Sequence, residues 1–473
     1  MLVLANDPSR ITAASVVPAL VTLSLSRRAE RFPDRTAVVD ISEERLYAPA
    51  ETISEERLTY GDLSTLADWA GARLSGLDIG PGDTVCLVSR NRVLSLALLF
   101  ACRRLGATLA PISHLLTPVT VERPFDAIDP ELVVAEPAQR DLVRSIPFDQ
   151  SVTLEELTTV SPEADWRDES DASNPLLCLH GDGGQPVAAF SARTLEWNCI
   201  TALVTWGITQ DDVAPLVAPL STPDGLLRLA LPLLYAGGQL LLDRAFDPGD
   251  ALTAIAAENA TLLAGRTPAL RDLAAEPAFD DAIGSIERVI ADATVEDDVL
   301  EPYREVSGTA PGTENGNGNG NGNKSERRNT NASGIAVSRA YGRLECPTVL
   351  AQSVERNRET PDGERADAQS VPGAVGRPVL DCRVRLVDDG DTELVGAGTG
   401  RLQVTGPIVA DERAPPVGSE SKADTRAETE REHETAESDA TDADPSAAGQ
   451  FVDGWFDTGQ LFARDEDGRY ARR

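Results

Sequence analysis

The chain has 473 residues, 41% of them hydrophobic, enough for two or three core-forming units. Its formal net charge is −34, and of 43 basic residues only Lys324 and Lys422 are lysines. That acidity repels nucleic-acid backbone and anionic lipid, so neither is expected as a partner. Abundant carboxylate with almost no lysine is a halophilic type of composition, in which molar salt screens the surface self-repulsion.

No apolar run reaches 18 uncharged residues, so no membrane span is expected. The first residues lack the basic-then-apolar layout of a secretory leader, and a cytoplasmic location is expected. Cysteines 86, 102, 178, 199, 346 and 382 lie far apart with no CxxC pair, which suits reduced, packed thiols. Histidines 114, 180 and 433 are too few for a histidine-based metal centre.

In chain order, Leu63, Leu66, Ala67, Ala70 and Leu74 carry helical spacing after the turn-like Tyr60-Gly61-Asp62. A Pro81-Gly82-Asp83 turn leads to a strand over 84–88, a helix over 93–105 and a strand over 108–112, a βαβ unit. Further helices are predicted over 194–206, 225–234 and 250–258. Strands are predicted over 214–219, 239–242, 261–264 and 286–290. Residues 381–387 and 400–404 alternate as short strands.

The expected fold class is therefore α/β. Two βαβ-type layered subdomains with mostly parallel sheets (1–170 and 171–372) precede a small β-rich subdomain (373–473), taken as a distorted barrel. Polar inserts at 308–334 and 354–370 have little to bury, and residues 411–449, with twelve acidic and four basic side chains, read as a solvated mobile loop. Both lysines fall in such segments. The repeat ISEERL at 41–46 and 53–58 reads as a small loop duplication.

The order and spacing of ERFPDRTAVVD (30–40), RLTYGDL (57–63), GPGDTVCLVSRN (80–91), WGITQDDVAPLVAPL (206–220), LPLLYAGGQLLL (231–242), AYGRLECP (340–347), VGRPVLDCRVRLVDD (375–389) and DGWFDTGQLFARDEDGRY (453–470) resemble the AMP-forming acyl-CoA synthetases, members of the adenylate-forming superfamily. The resemblance implies ATP-dependent activation of a carboxylic or fatty acid to an acyl-adenylate. Transfer to a thiol such as CoA follows, with Mg²⁺ as the usual companion of ATP.

Carried over position by position, the family's phosphate loop falls on 178–188. Gly181, Asp182, Gly183 and Gly184 become the phosphate-binding candidates, Asp182 stands at a Ser/Thr position, and Val187 stands where the loop's lysine belongs. An aspartate repels a triphosphate and a valine offers it no charge. The Tyr-Gly-x-Thr-Glu motif reads Tyr341-Gly342-Arg343-Leu344-Glu345. The resemblance makes Tyr341 an adenine-stacking residue, Gly342 its neighbour in the nucleotide site, and Glu345 a catalytic residue and Mg²⁺ ligand. Leu344 replaces a hydroxyl.

The later Thr-Gly-Asp motif reads Thr458-Gly459-Gln460. Thr458 is thereby a catalytic candidate and Gln460 a ribose contact with one acceptor oxygen in place of a carboxylate. Ser221 to Gly225 lacks the aromatic and histidine of the family's acyl-pocket gate. After Arg473 the family carries a mobile domain of about a hundred residues that delivers a catalytic lysine. The expectation is that this domain is missing here, or is supplied by a separate protein.

Three readings result: a ligase-like pseudoenzyme of weak or no activity, a ligase completed by that separate partner, and a non-catalytic acyl-, nucleotide- or protein-binding module. A Ser-His-Asp hydrolase is excluded by the absence of a GxSxG elbow and a suitably placed histidine.

Overall fold

Val85, Cys86, Leu87 and Val88 are buried on both faces of the strand Thr84–Val88, the pattern of a central parallel strand. It pairs with Thr108–Ile112 on one side and Leu132–Ala135 on the other, both in parallel. The connecting helix Val93–Leu105 is apolar nearly all round and accordingly sits inside. It ends at Gly106, which takes a left-handed φ of 68°. The helix predicted from Leu63 starts three residues earlier, at Tyr60, and runs to Ser75. The cause is a capping box: the Thr59 hydroxyl accepts from Asp62 N while the Asp62 carboxylate accepts from Thr59 N.

This computed structural model describes residues 23–42, 57–161 apart from 147 and 149, 174–306, 334–352, 374–414 and 449–473. Three sheets organise them. A seven-stranded sheet contains the βαβ unit just described. It also takes in the hairpin of Pro175–His180 and Val187–Ser191, and its far edge is Glu412–Ala414. A four-stranded sheet pairs Thr36–Asp40 with Gln239–Leu242 in parallel, and the latter with Val213–Leu216. Hydrogen bonding thus joins strands from both sides of residue 170.

The third sheet has ten strands and changes character along its width. Leu262–Gly265, Arg288–Asp292 and Ala336–Arg343 run parallel, and every later pairing is antiparallel. Ala374–Pro378 is the bridge. It pairs with Cys346–Ala351 on one side and with Tyr470–Arg472 on the other, so the β-rich residues extend the parallel sheet. The expected distorted barrel is corrected here: among the described residues the sheet stays open, with Leu262–Gly265 and Arg383–Val387 at opposite ends.

At the start of the acidic stretch, Glu412–Ala414 pairs with the hairpin strand, and Asp411 accepts hydrogen bonds from Ser191 N (2.5 Å) and Thr194 Oγ1 (2.9 Å). The inserts 308–334 (save Gly334) and 354–370, most of the acidic stretch and most of the ISEERL repeat lie outside the described residues, as do both lysines. Among the described residues the six cysteines are free thiols, and no helix is long and apolar enough to cross a membrane.

Candidate functional site

Residues 181–186 form the turn between two antiparallel strands. The turn is closed by its own backbone, with Gly181 N donating to Pro186 O and Gly184 N to Gly181 O, both at 2.9 Å. His180 pins it from below. Its Nδ1 donates to Gly181 O at 2.7 Å, and its Nε2 accepts from Ser113 N at 3.0 Å. Burial holds the imidazole pKa below its ordinary value, so the neutral ring needed for this donor–acceptor pair is the stable one.

Gly184 is required where it stands. Its φ is +86°, and a Cβ there would meet Thr120 O at 2.8 Å and Pro124 Cδ at 2.9 Å. Gly184→Ala is expected to cost about 1–3 kcal/mol, read as a lower urea midpoint. An unchanged midpoint would show that the turn does not press on residues 120–124.

The structure gathers the motif segments around that hairpin. Asp411 N donates to Ala189 O at 2.9 Å, and Ala410 N donates to Glu345 O at 2.7 Å, so residues 410–411 tie the hairpin strand to the Tyr341–Glu345 turn. Gly342 lies so tightly in that turn that a Cβ would fall 1.9 Å from Pro347 O. Tyr341 is only 4% exposed. Its ring meets Phe462 edge-on with centroids 4.7 Å apart, and burial raises its phenol pKa. In this arrangement it offers no open face for an adenine ring.

Thr458 is fully buried, donating to Leu402 O at 2.8 Å and accepting from Gln460 N at 3.2 Å. Asp457 braces the same loop, accepting from Gly459 N (2.9 Å), Gln403 Nε2 (3.0 Å) and Arg401. Glu345 has 0% exposure. Mg²⁺ takes one or two carboxylates plus phosphate oxygens, and Glu345 is the carboxylate that the Tyr341–Glu345 turn would offer it. Among the described residues no cluster of three or more His, Cys, Asp or Glu side chains is arranged to hold a metal.

The sequence reading missed an ion network beside these segments. Thr222 caps the π-helical segment Pro223–Ala230 by accepting from Gly225 N. Arg228, 4% exposed within this apolar helix, pairs with Asp224 at 2.5 Å and Asp292 at 3.2 Å, and donates to Pro347 O at 2.9 Å. Arg266 joins Asp224 from the other side. Burial would raise the Asp292 pKa, but Arg228, the Thr294 hydrogen bonds and Arg266 outweigh it, and the carboxyl titrates below its ordinary range. One signal was available in the sequence: an arginine inside GLLRLALPLL must find partners once that helix is buried.

A second missed element holds the two smaller sheets in register. Asn91 Oδ1 accepts from Leu220 N at 2.8 Å, and its Nδ2 donates to Asp243 O at 3.1 Å. Leu220 immediately precedes the Ser221–Gly225 gate segment, so Asn91 positions that segment against the strand Thr84–Val88. The loop carrying Asn91 is itself anchored by Glu136, 1% exposed, which accepts from Arg90 N (3.1 Å), Arg90 Nε (3.0 Å) and Arg92 Nη2 (2.8 Å).

Parallel-rich sheets that carry a glycine turn, tied through residues 410–411 to a tyrosine–glutamate turn, suit the large domain of an adenylate-forming ligase. The sequence profile of the family described as AMP-binding enzyme matches residues 25–412, and the chain belongs to that family. A feruloyl-CoA synthase of Amycolatopsis sp is 24% identical over 425 residues, covering 87% of this chain and 72% of the relative. An indoleacetate–CoA ligase of Aromatoleum aromaticum is 26% identical over 374 residues, covering 75% and 66%.

Among solved structures, the N-terminal domain of FACL13 from Mycobacterium tuberculosis superposes with a TM-score of 0.72 at 17% identity, covering 95% of this chain and 98% of that one. ATP-bound MatB from Rhodopseudomonas palustris gives 0.69 at 21% identity, covering 96% and 78%. The family implies ATP and a carboxylic acid as ligands.

Proposed function

We propose that this member of the AMP-binding family binds ATP and a carboxylic acid but has weak or no adenylation activity of its own. Val187 carries the reading. It stands where the phosphate loop's lysine belongs, is 4% exposed, and is held in a strand opposite His180 and Ala414. A buried valine supplies no charge to a triphosphate, and a preorganised electrostatic contact of this kind is typically worth about 10²–10³ in rate.

Asp182 in the turn, Leu344 and Gln460 act in the same direction, and Asp224 stands in the gate segment bound into ion pairs. Such losses are not strictly additive, yet several together leave little turnover. Feruloyl-CoA synthase and indoleacetate–CoA ligase, by their names, act on aromatic acids, so aromatic carboxylates are the first substrates to offer this chain.

The test is ATP–pyrophosphate exchange in molar KCl with aromatic and fatty acids. Exchange at background is expected with every acid, and robust acid-dependent exchange would overturn the reading.

A further inference from the structure

We propose that the acid this chain takes carries a second carboxylate, and that Arg266, braced through Asp224 by Arg228, is the specificity-determining residue that meets it beside the gate segment. The inference rests on the acid-binding reading above and narrows its substrate class to dicarboxylic acids.

Three parallel strands bring the residues concerned to one edge. Gly265 pairs with Ala291 and Asp292 with Ala340, so Arg266, Asp292 and Tyr341 stand at the carboxyl ends of neighbouring strands. Open parallel sheets bind ligands outside that edge. The helical segment Pro223–Ala230 reaches the same place. Its Asp224 and Arg228 pair at 2.5 Å, Arg228 reaches Asp292 at 3.2 Å, and Asp224 accepts from the Nε of Arg266. Asp224 belongs to the gate segment, so the network borders the place for the acid's substituents.

A wholly apolar acid tail does not suit such a border, because hydrocarbon over charged groups strips their water without replacing it. The substituent must be polar, and the hydrogen bonds already made decide its sign. The carboxylates are taken. Asp292 accepts from Thr294 N (3.0 Å), Thr294 Oγ1 (2.6 Å) and Arg228, and Asp224 is shared by two arginines. An ammonium group would have to displace one of those arginines.

Donors, by contrast, are in surplus. Ser221 Oγ and Arg228 Nε are buried without a hydrogen-bond partner, in residues 5% and 4% exposed. Arg266, with its side chain 52% exposed, makes its one side-chain hydrogen bond among the described residues through Nε. Its two terminal nitrogens keep their donors, in the planar arrangement that matches a carboxylate.

Calorimetric titration of the full chain with matched acids tests the proposal: hexanoate against adipate and benzoate against terephthalate, at one KCl concentration, with and without AMP. The net charge of −34 opposes a dianion everywhere except near local cations, so a preference for the diacid reports a local site. At least one diacid is expected to bind about tenfold more tightly than its monoacid. Arg266→Gln should bring that ratio near one, and Arg266→Lys, which keeps the charge but not the fork, should retain part of it. The ratio is taken within each variant, so a general loss of stability does not mimic the effect.

Diacids that bind the unaltered chain no better than their monoacids, or a preference that survives Arg266→Gln, would overturn the proposal while acid binding stands. If no acid of either kind binds the unaltered chain, the acid-binding reading fails and takes the proposal with it.

Discussion

Glu136→Ala is expected to lower the unfolding free energy by about 3–5 kcal/mol at neutral pH, among the largest effects available in this chain. The carboxylate is 1% exposed and is shared by Arg90 and Arg92, whose side chains are 9% and 11% exposed. Removing it leaves two arginines facing each other in a poorly solvated loop. Burial alone would raise the Glu136 pKa, but the hydrogen bonds and charges of Arg90 and Arg92 prevail and bring it down to about 2, against an ordinary value of 4.5.

The sign follows from linkage. A depressed carboxyl pKa contributes stability that is complete above the unfolded value near 4.5 and is lost as pH falls through the folded value near 2. The contribution is about 3 kcal/mol. Urea melts of the two proteins should therefore differ most at pH 7 and converge below pH 4.5. The gap should persist in molar KCl, since salt screens buried pairs far less than surface ones. A gap independent of pH, or one abolished by salt, would show that Glu136 acts as packing or as an ordinary surface charge. The loss should also reach the site, because Asn91, which holds Leu220, lies between the two arginines.

Arg228→Ala is the second large effect, again about 3–5 kcal/mol. The guanidinium is 5% exposed and touches Asp224, Asp292 and Pro347 O. Without it, Asp292 keeps the Thr294 contacts but loses its nearest cation, and Asp224 retains Arg266. The coupling separates lost charge from lost volume. The double variant Arg228→Met with Asp292→Asn removes both charges and keeps the space filled, so it should recover more than half of the stability that Arg228→Ala loses. If the double variant is no more stable than the single one, packing rather than the ion pair dominates.

Much of the local structure was legible because it depends on near neighbours in sequence. The strand Thr84–Val88, the helix Val93–Leu105 and the strand Thr108–Ile112 follow from apolar runs punctuated by Pro81-Gly82 and Gly106, and they form where the pattern places them. The glycine turn was legible for the same reason. Its cluster of small residues and Pro186 allow little besides a tight reversal between strands.

Other features depend on partners hundreds of residues away, and no periodicity reports those. Ala374–Pro378 extends an open sheet because Cys346–Ala351 and Tyr470–Arg472 lie on its two flanks. Tyr341 is closed off because Phe462 lies against its ring.

By itself the sequence determined the family, the α/β pattern and the residue types at each motif position, since these are properties of order and spacing. Only the tertiary structure decided where the charges go. An arginine such as Arg228 or Arg266 carries the same symbol in any helix or loop. Whether it is spent on a buried aspartate or turned toward a ligand is set by which carboxylates the packed chain brings within a few ångströms.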